Sequence, residues 1–141
     1  MIIGPDPAGS WVFSSHEPHS KLGNVAKPGL GTNITGAPLQ FVFDTRQDRT
    51  MPPGMDPVTV RSSFIASYAN FGSGRARCVS GCTCETQRLN GVTEVVEGSV
   101  LRETVWRVSQ HAACRIDVTF DGPEGTRFKL ASIVAESSSP V

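Results

Sequence analysis

The 141-residue chain predicts an all-β protein, a single antiparallel β-sandwich of jelly-roll-like type stapled by disulfides. Three observations lead there. Apolar and polar residues alternate with a period of two in several segments, which places alternate side chains on opposite faces of a strand. Fourteen glycines and ten prolines punctuate the chain, as turns between short strands require. Four cysteines, three of them in the run CVSGCTC, offer covalent ties to a domain of modest size.

Each segment follows from its own pattern. Leu39 to Asp44 (LQFVFD) is a short, nearly continuous apolar run and reads as a strand buried on both faces. From Pro57 to Tyr68 the positions Val58, Val60, Ser62, Phe64, Ala66 and Tyr68 alternate with Thr59, Arg61 and Ser63, so the first set faces a core. The same parity recurs at Ala76 and Cys78, with Arg75 and Arg77 outward. Val100 to Val108 (VLRETVWRV) has mixed periodicity, but its β-branched residues favour a strand. Cys114, Ile116, Val118 and Phe120 alternate with Arg115, Asp117 and Thr119. The last segment, Thr126 to Val134, is expected to bury Phe128, Leu130 and Val134 and to expose Arg127 and Lys129.

Turn signals fall between these runs. Asn70–Gly74 (NFGSG), Asn90-Gly91 and Asp121–Gly125 (DGPEG) sit where hairpins need them. The DGPEG turn predicts a hairpin of Arg115–Phe120 with Thr126–Val134. About seven or eight strands on this spacing describe a sandwich or jelly roll. Arg46 to Pro57, with Pro52, Pro53, Gly54 and Pro57, reads as a long surface loop. Met1 to Gly9 and Glu136 to Val141 read as frayed tails around an ordered core of about residues 11–135. The length suits one domain, and neither an internal repeat nor a second domain is visible.

Composition narrows the function classes. Thirteen Lys and Arg balance thirteen Asp and Glu, so no net basic field exists to bind nucleic acid non-specifically. No apolar run approaches the roughly 18 residues that a membrane span requires. Met1 to Ser10 lacks the basic start and apolar stretch of a secretory signal. Catalytic motifs are absent: there is no GxSxG elbow, glycine-rich phosphate loop or HExxH helix. His16 and His19 flank Glu17-Pro18 in a segment read as a solvated loop, and Asp44, Glu103 and Asp117 are scattered. No catalytic residue and no cofactor is expected.

The cysteines carry the sharpest local signal. An even count in a small, glycine-rich β-domain predicts two disulfides among Cys78, Cys82, Cys84 and Cys114, with three connectivities open. Cys82–Cys84 is disfavoured, because residues two apart on a strand sit awkwardly for a bridge. Cys114 is then expected to join one member of the cluster, while the other two close the Val79–Gly81 turn. The competing readings are a zinc site of Cys82, Cys84, Cys114 and His111, although CxxxCxC departs from zinc-knuckle spacing, and reduced structural thiols. Asn33-Ile34-Thr35 is a glycosylation acceptor pattern in a glycine-rich loop, which beside disulfides favours an extracellular or secretory-lumen setting.

Arg61, Arg75, Arg77, Arg115, Arg127 and Lys129 are candidates for one outer sheet face. With Trp106, Trp11 or Tyr68 nearby, such a face would grip a sugar chain or an acidic partner, rings stacking on sugar and guanidinium forks bonding hydroxyls or carboxylates. Arg61, Arg75, Arg77, Trp106 and Arg115 are the candidate binding set. The alternative is a solvated face over buried aromatics.

The segments TVRSSFIASYANFGSGRARCVSGCTC, WRVSQHAACRIDVTF and TRFKLASIVA together resemble a β-rich region of plant and green-algal proteins. That region follows modules related to SGNH or GDSL-like hydrolases. Lys27–Leu30 (KPGL) and LQFVFDTR are similar to its first strands, and CVSGCTC with HAAC is the most specific part. The resemblance spans roughly Lys27 to Ala135, and it lacks the GDS-type serine block of the hydrolase module. It implies a secreted or lumenal accessory domain, without catalysis of its own, that binds carbohydrate or a neighbouring hydrolase domain. A purely structural domain of a larger extracellular protein is the alternative.

Overall fold

The computed structural model describes residues 2–3, 10–17, 25–94 and 99–136, with side chains at 10–14, 28–94 and 99–136. These residues form ten strands: β1 (Ile2–Ile3), β2 (Val12–Glu17), β3 (Val25–Thr32), β4 (Pro38–Phe43), β5 (Val58–Ser67), β6 (Gly74–Ser80), β7 (Gln87–Leu89), β8 (Ser99–Val108), β9 (Cys114–Phe120) and β10 (Phe128–Glu136). They build two five-stranded antiparallel sheets, ordered β1-β4-β9-β6-β7 and β2-β3-β10-β5-β8. The all-β sandwich read from the alternation is the observed architecture.

The connectivity makes it jelly-roll-like. From β3 onward every connection crosses to the other sheet, except the short step from β6 to β7. The pairs β3·β10, β4·β9, β5·β8 and β6·β7 are nested, so the chain resembles one long hairpin folded over on itself. Pairs β5·β10 and β6·β9 then knit neighbouring coils into sheets. Such winding covers both inner faces and leaves few strand edges open.

The core lies where the two alternating sets face each other. Leu39, Phe41 and Phe43 of β4 and Cys114, Ile116, Val118 and Phe120 of β9 line one wall. Val58, Val60 and Phe64 of β5, Trp106 and Val108 of β8, and Phe128, Leu130 and Ile133 of β10 line the other. Phe128 anchors the aromatic cluster, 6.2 Å edge-to-face from Trp11 and 5.8 Å from Phe64 between ring centroids. Burying a ring of that size stabilises the fold by about 1.5–3 kcal/mol. Trp11 also satisfies its indole N–H, which donates to the Ala37 carbonyl at 2.9 Å.

Several expectations are corrected. Strands β9 and β10 do not form a hairpin: DGPEG does turn, with Gly125 at φ 86°, but it carries the chain across to the other sheet. Asn90-Gly91 likewise leads out of β7 into an isolated bridge between Ser67 and Val92. In β10 the pairing register with β5 shifts between Leu130 and Ser132, a β-bulge that inverts the parity beyond it. Ile133 is therefore buried and Val134 is 51% exposed, while Lys129 is only 2% exposed. Tyr68 lies beyond the end of β5 and is exposed. Strand β4 alternates rather than burying both faces, with Gln40 and Val42 only half-buried. His16 stands in β2 rather than in a loop, and His19 lies outside the described residues.

Val100–Val108 is the strand its β-branched residues favour, and the Asn70–Gly74 turn holds Asn70 at φ 64°. Arg46–Pro57 is irregular and largely exposed. It is tied down by buried Gln110, whose Oε1 accepts from the Gln47 and Gly54 N–H groups, both at 3.0 Å, and whose Nε2 donates to the Asp56 carbonyl at 2.7 Å. Of the two expected tails, Ile2–Ile3 pairs with Val42 and Phe41, and Glu136 ends β10. The other tail residues lie outside the described residues.

Candidate functional site

The outer face of the β4-β9-β6-β7 layer concentrates arginine. Arg75 and Arg77 of β6, Arg115 of β9 and Arg88 of β7 all point away from the core, because their neighbours Ala76, Ile116 and Leu89 fill it. Register places Arg75 opposite both Thr119 and Arg88, and Arg77 opposite Asp117. Two carboxylates answer the four guanidinium groups. Asp117 is bidentate with Arg115 at 3.2 and 3.3 Å, and Asp121 accepts from Arg75 at 2.7 Å. Among the described residues Arg77 and Arg88 carry no ion pair. Arg88 also borders an open depression of about 760 Å³, lined besides by Asn90, Val92, Thr93, Glu94 and Arg102.

Two members of the expected binding set do not belong to this face. Arg61 is on β5, in the opposite sheet, where Glu103 (2.9 Å) and Glu136 both hold it. Glu136 first and Glu103 next raise its pKa, keeping the guanidinium charged. Trp106 faces the core and is 5% exposed, so no ligand on the outside reaches its ring. Arg127 lies over the Phe71 ring, 4.9 Å from its centroid, and Lys129 is buried. Arg75, Arg77 and Arg115 are thus brought together, whereas Arg61, Trp106, Arg127 and Lys129 are not. Arg88 carries no signal in the sequence, because β7 is three residues long, too short to show alternation.

At one end of the same sheet the cysteines converge. Cys78 bonds Cys84 and Cys82 bonds Cys114, with Cα separations of 5.7 and 5.0 Å, both inside the range a bridge spans. No described cysteine is free. The Cys82–Cys84 pairing disfavoured on spacing is not the one formed, and Cys114 does join the cluster, but it does so through Cys82, so the other bridge closes residues 79–83 rather than the Val79–Gly81 turn alone. The loop carrying Cys82 and Cys84 is also hydrogen-bonded to the segment before Cys114. The Thr83 N–H donates to Ser109 Oγ at 2.8 Å and the Ser109 N–H to the Thr83 carbonyl at 3.1 Å. Thr45 braces that segment: its Oγ1 accepts from the His111 N–H at 2.7 Å, and its own N–H donates to the His111 carbonyl at 2.9 Å.

The remaining candidates are dispersed. Asn33 is exposed in the turn after β3, and Thr35 Oγ1 donates to the Gly122 carbonyl at 3.2 Å. Asp44 pairs with Arg46, whose guanidinium donates to it at 2.7 and 2.9 Å and holds its pKa down at about 2. Glu103 and Asp117 lie on opposite sheets, so they form no acid–base couple. An apolar cleft of about 320 Å³ opens between the sheets, lined by Phe13, Pro28, Leu30, Phe41, Leu130 and Ile133 among others.

Fold and site together define a disulfide-bonded, jelly-roll-like sandwich domain with an arginine-bearing face. No protein-family model, curated protein or solved structure matches the chain. No described helix is long and apolar enough to cross a membrane.

Proposed function

We propose that the protein is a non-catalytic recognition module of a secreted or lumenal protein, and that it binds acidic carbohydrate on the outer face of β6, β7 and β9. The observation that carries this reading is the excess of Arg75, Arg77, Arg88 and Arg115 over Asp117 and Asp121 on one sheet face. A guanidinium is a planar, permanently charged fork that takes a carboxylate or sulfate ester bidentately. Aromatic stacking, the usual grip on neutral sugars, has no ring to work with on that face among the described residues, since Trp106 is buried and the exposed Phe13 and Tyr68 lie on β2 and just past β5. That favours uronate-bearing or sulfated chains over neutral ones. Two disulfides and an exposed Asn33-Ile34-Thr35 triplet fit an oxidising compartment. The resemblance to regions that follow hydrolase modules fits an accessory role.

Binding to immobilised acidic and neutral polysaccharides tests this. The acidic chains are retained, retention falls with salt, and Arg75→Ala/Arg77→Ala weakens it by about tenfold or more, as loss of charge-assisted hydrogen bonds does. Equal binding of neutral chains, or indifference to that double substitution, overturns the reading.

A second reading rests on the other sheet. Leu101, Val105 and Val134 are exposed on the outer face of β8 and β10 around the Arg61–Glu103–Glu136 network. An apolar patch with a charged centre suits docking against a neighbouring domain. Leu101→Asp and Val134→Asp abolish such docking and leave glycan retention intact, which separates the two.

A further inference from the structure

Three of the four sulfurs lie closer together than two separate disulfides require. The Sγ atoms of Cys78, Cys82 and Cys114 all lie within 4.8 Å of one another, and Cys84 is bonded to Cys78. Four thiolates around one zinc at about 2.3 Å stand about 3.8 Å apart, so after reduction each bonded pair opens from about 2 Å, Cys78 draws in on Cys82 and Cys114 from at most 4.8 Å, and Cys84, which lies outside that set of three, swings in beside Cys78. The backbone that brings them together does not depend on the bridges alone. Thr83 and Ser109 exchange hydrogen bonds, Thr45 braces the carbonyl and N–H of His111, and Gly81 packs so tightly on Ala113 that a Cβ would lie 2.3 Å from its carbonyl oxygen. Gly81 at φ 81° is what permits that approach.

We propose that reduction of the two bridges turns this end of the sandwich into a zinc site of Cys78, Cys82, Cys84 and Cys114. In the reduction each bridge gains two electrons and two protons from a dithiol reductant, which itself becomes a disulfide. Zinc then displaces the four thiol protons and takes four sulfur ligands. His111 is not one of them. Its Nδ1 already accepts the Ala113 N–H at 2.9 Å, and this contact helps to shape the turn before Cys114. The protein thus has two exchangeable cross-links at one place, covalent in an oxidising compartment and metal-centred in a reducing one. The site is independent of the arginine face and of any glycan bound there.

The test uses the full chain, reduced anaerobically with a phosphine, which is converted with water to its oxide, and freed of reductant. Titration with Co²⁺ is expected to give, at one equivalent, the near-ultraviolet thiolate-to-cobalt charge-transfer band and visible bands of a tetrahedral four-thiolate centre, which Zn²⁺ bleaches. Zinc protects all four thiols from alkylation, read by mass spectrometry. Cys84→Ser lowers the charge-transfer intensity by about a quarter and weakens binding by about tenfold or more, whereas His111→Ala changes neither. Where reduction alone loosens the fold, zinc restores the β-sheet circular dichroism. Absence of the band at one equivalent, protection of fewer than four thiols, or dependence on His111 in place of Cys84 overturns the proposal.

Discussion

The Cα atoms of Cys82 and Cys114 lie 5.0 Å apart across a sequence separation of 32, whereas Cys78 and Cys84, separated by only 6, lie 5.7 Å apart. The two bridges differ little in span but greatly in the loop they close. A bridge restrains the unfolded chain more as its loop lengthens, giving about 3.7 kcal/mol for the longer loop and about 2.3 kcal/mol for the shorter. Replacing Cys82 and Cys114 together by alanine is therefore expected to lower the denaturant midpoint more than replacing Cys78 and Cys84. Equal losses in urea unfolding would contradict the chain-entropy account.

Gln110 governs the Arg46–Pro57 loop through three hydrogen bonds. Gln110→Ala leaves the N–H groups of Gln47 and Gly54 and the carbonyl of Asp56 without that partner, which costs about 2–3 kcal/mol. The loss is local as well as global. Limited proteolysis is expected to cut first between residues 47 and 56 in the variant, and amide exchange at Gln47 and Gly54 to accelerate.

Ser62 sits on the inner face of β5, fully buried, and its hydroxyl has no hydrogen-bond partner among the described residues. A buried hydroxyl without a partner costs roughly 1–3 kcal/mol relative to an apolar group. Ser62→Ala removes it with little change in volume. Thermal unfolding is expected to show a stabilised protein, by about 1 kcal/mol; a destabilised variant would show that the hydroxyl is satisfied in solution.

The Asp44–Arg46 pair gives a pH signature. Asp44 titrates at about 2 in the folded protein, against an ordinary value of 3.8, chiefly because the Arg46 side chain hydrogen-bonds its charged form. Its folded pKa is depressed, so the stabilisation is fully present above about pH 4 and is lost as the pH falls toward 2. Asp44→Asn removes the titrating group. The melting temperature of the parent is expected to fall more steeply than that of the variant between about pH 4 and pH 2.

Much of this fold is legible in the alternation of residues, and the parts that are not have physical reasons. Val58, Val60, Phe64 and Ala66 announce β5 because a period of two has one structural meaning. Strand β10 announces itself only as far as Leu130. The bulge after it is a feature of pairing with β5, so the inversion that buries Ile133 and exposes Val134 has no trace in hydropathy. Strand β3 hides behind Pro28, Gly29 and Gly31, although Gly29 is there for contact: a Cβ on it would lie 2.4 Å from the Leu130 carbonyl oxygen. DGPEG fits a hairpin locally, and only the opposite sheet's claim on Phe128 and Leu130 sends the chain across. For the site, parity shows which residues point outward but not from which layer, so Arg61 has the same signature as Arg75, Arg77 and Arg115. The disulfide framework is readable, while the connectivity depends on register: after the shift in β6, Ser80 lies opposite Arg115, which carries Cys82 rather than Cys78 up to Cys114.

The nested pairing also sets an order of assembly. Strands β6 and β7 meet across a few residues, whereas β3 and β10 must wait for nearly a hundred residues to be drawn in between Leu30 and Leu130. Closing large loops is entropically slow, so the tip of the ribbon has every advantage as the nucleus and the outermost coil arrives last. The Cys78–Cys84 bridge lies within that tip, whereas Cys82–Cys114 ties the tip to the start of β9. Oxidation of the first pair would therefore lock the part that forms first, and the second pair can close only once β9 has arrived.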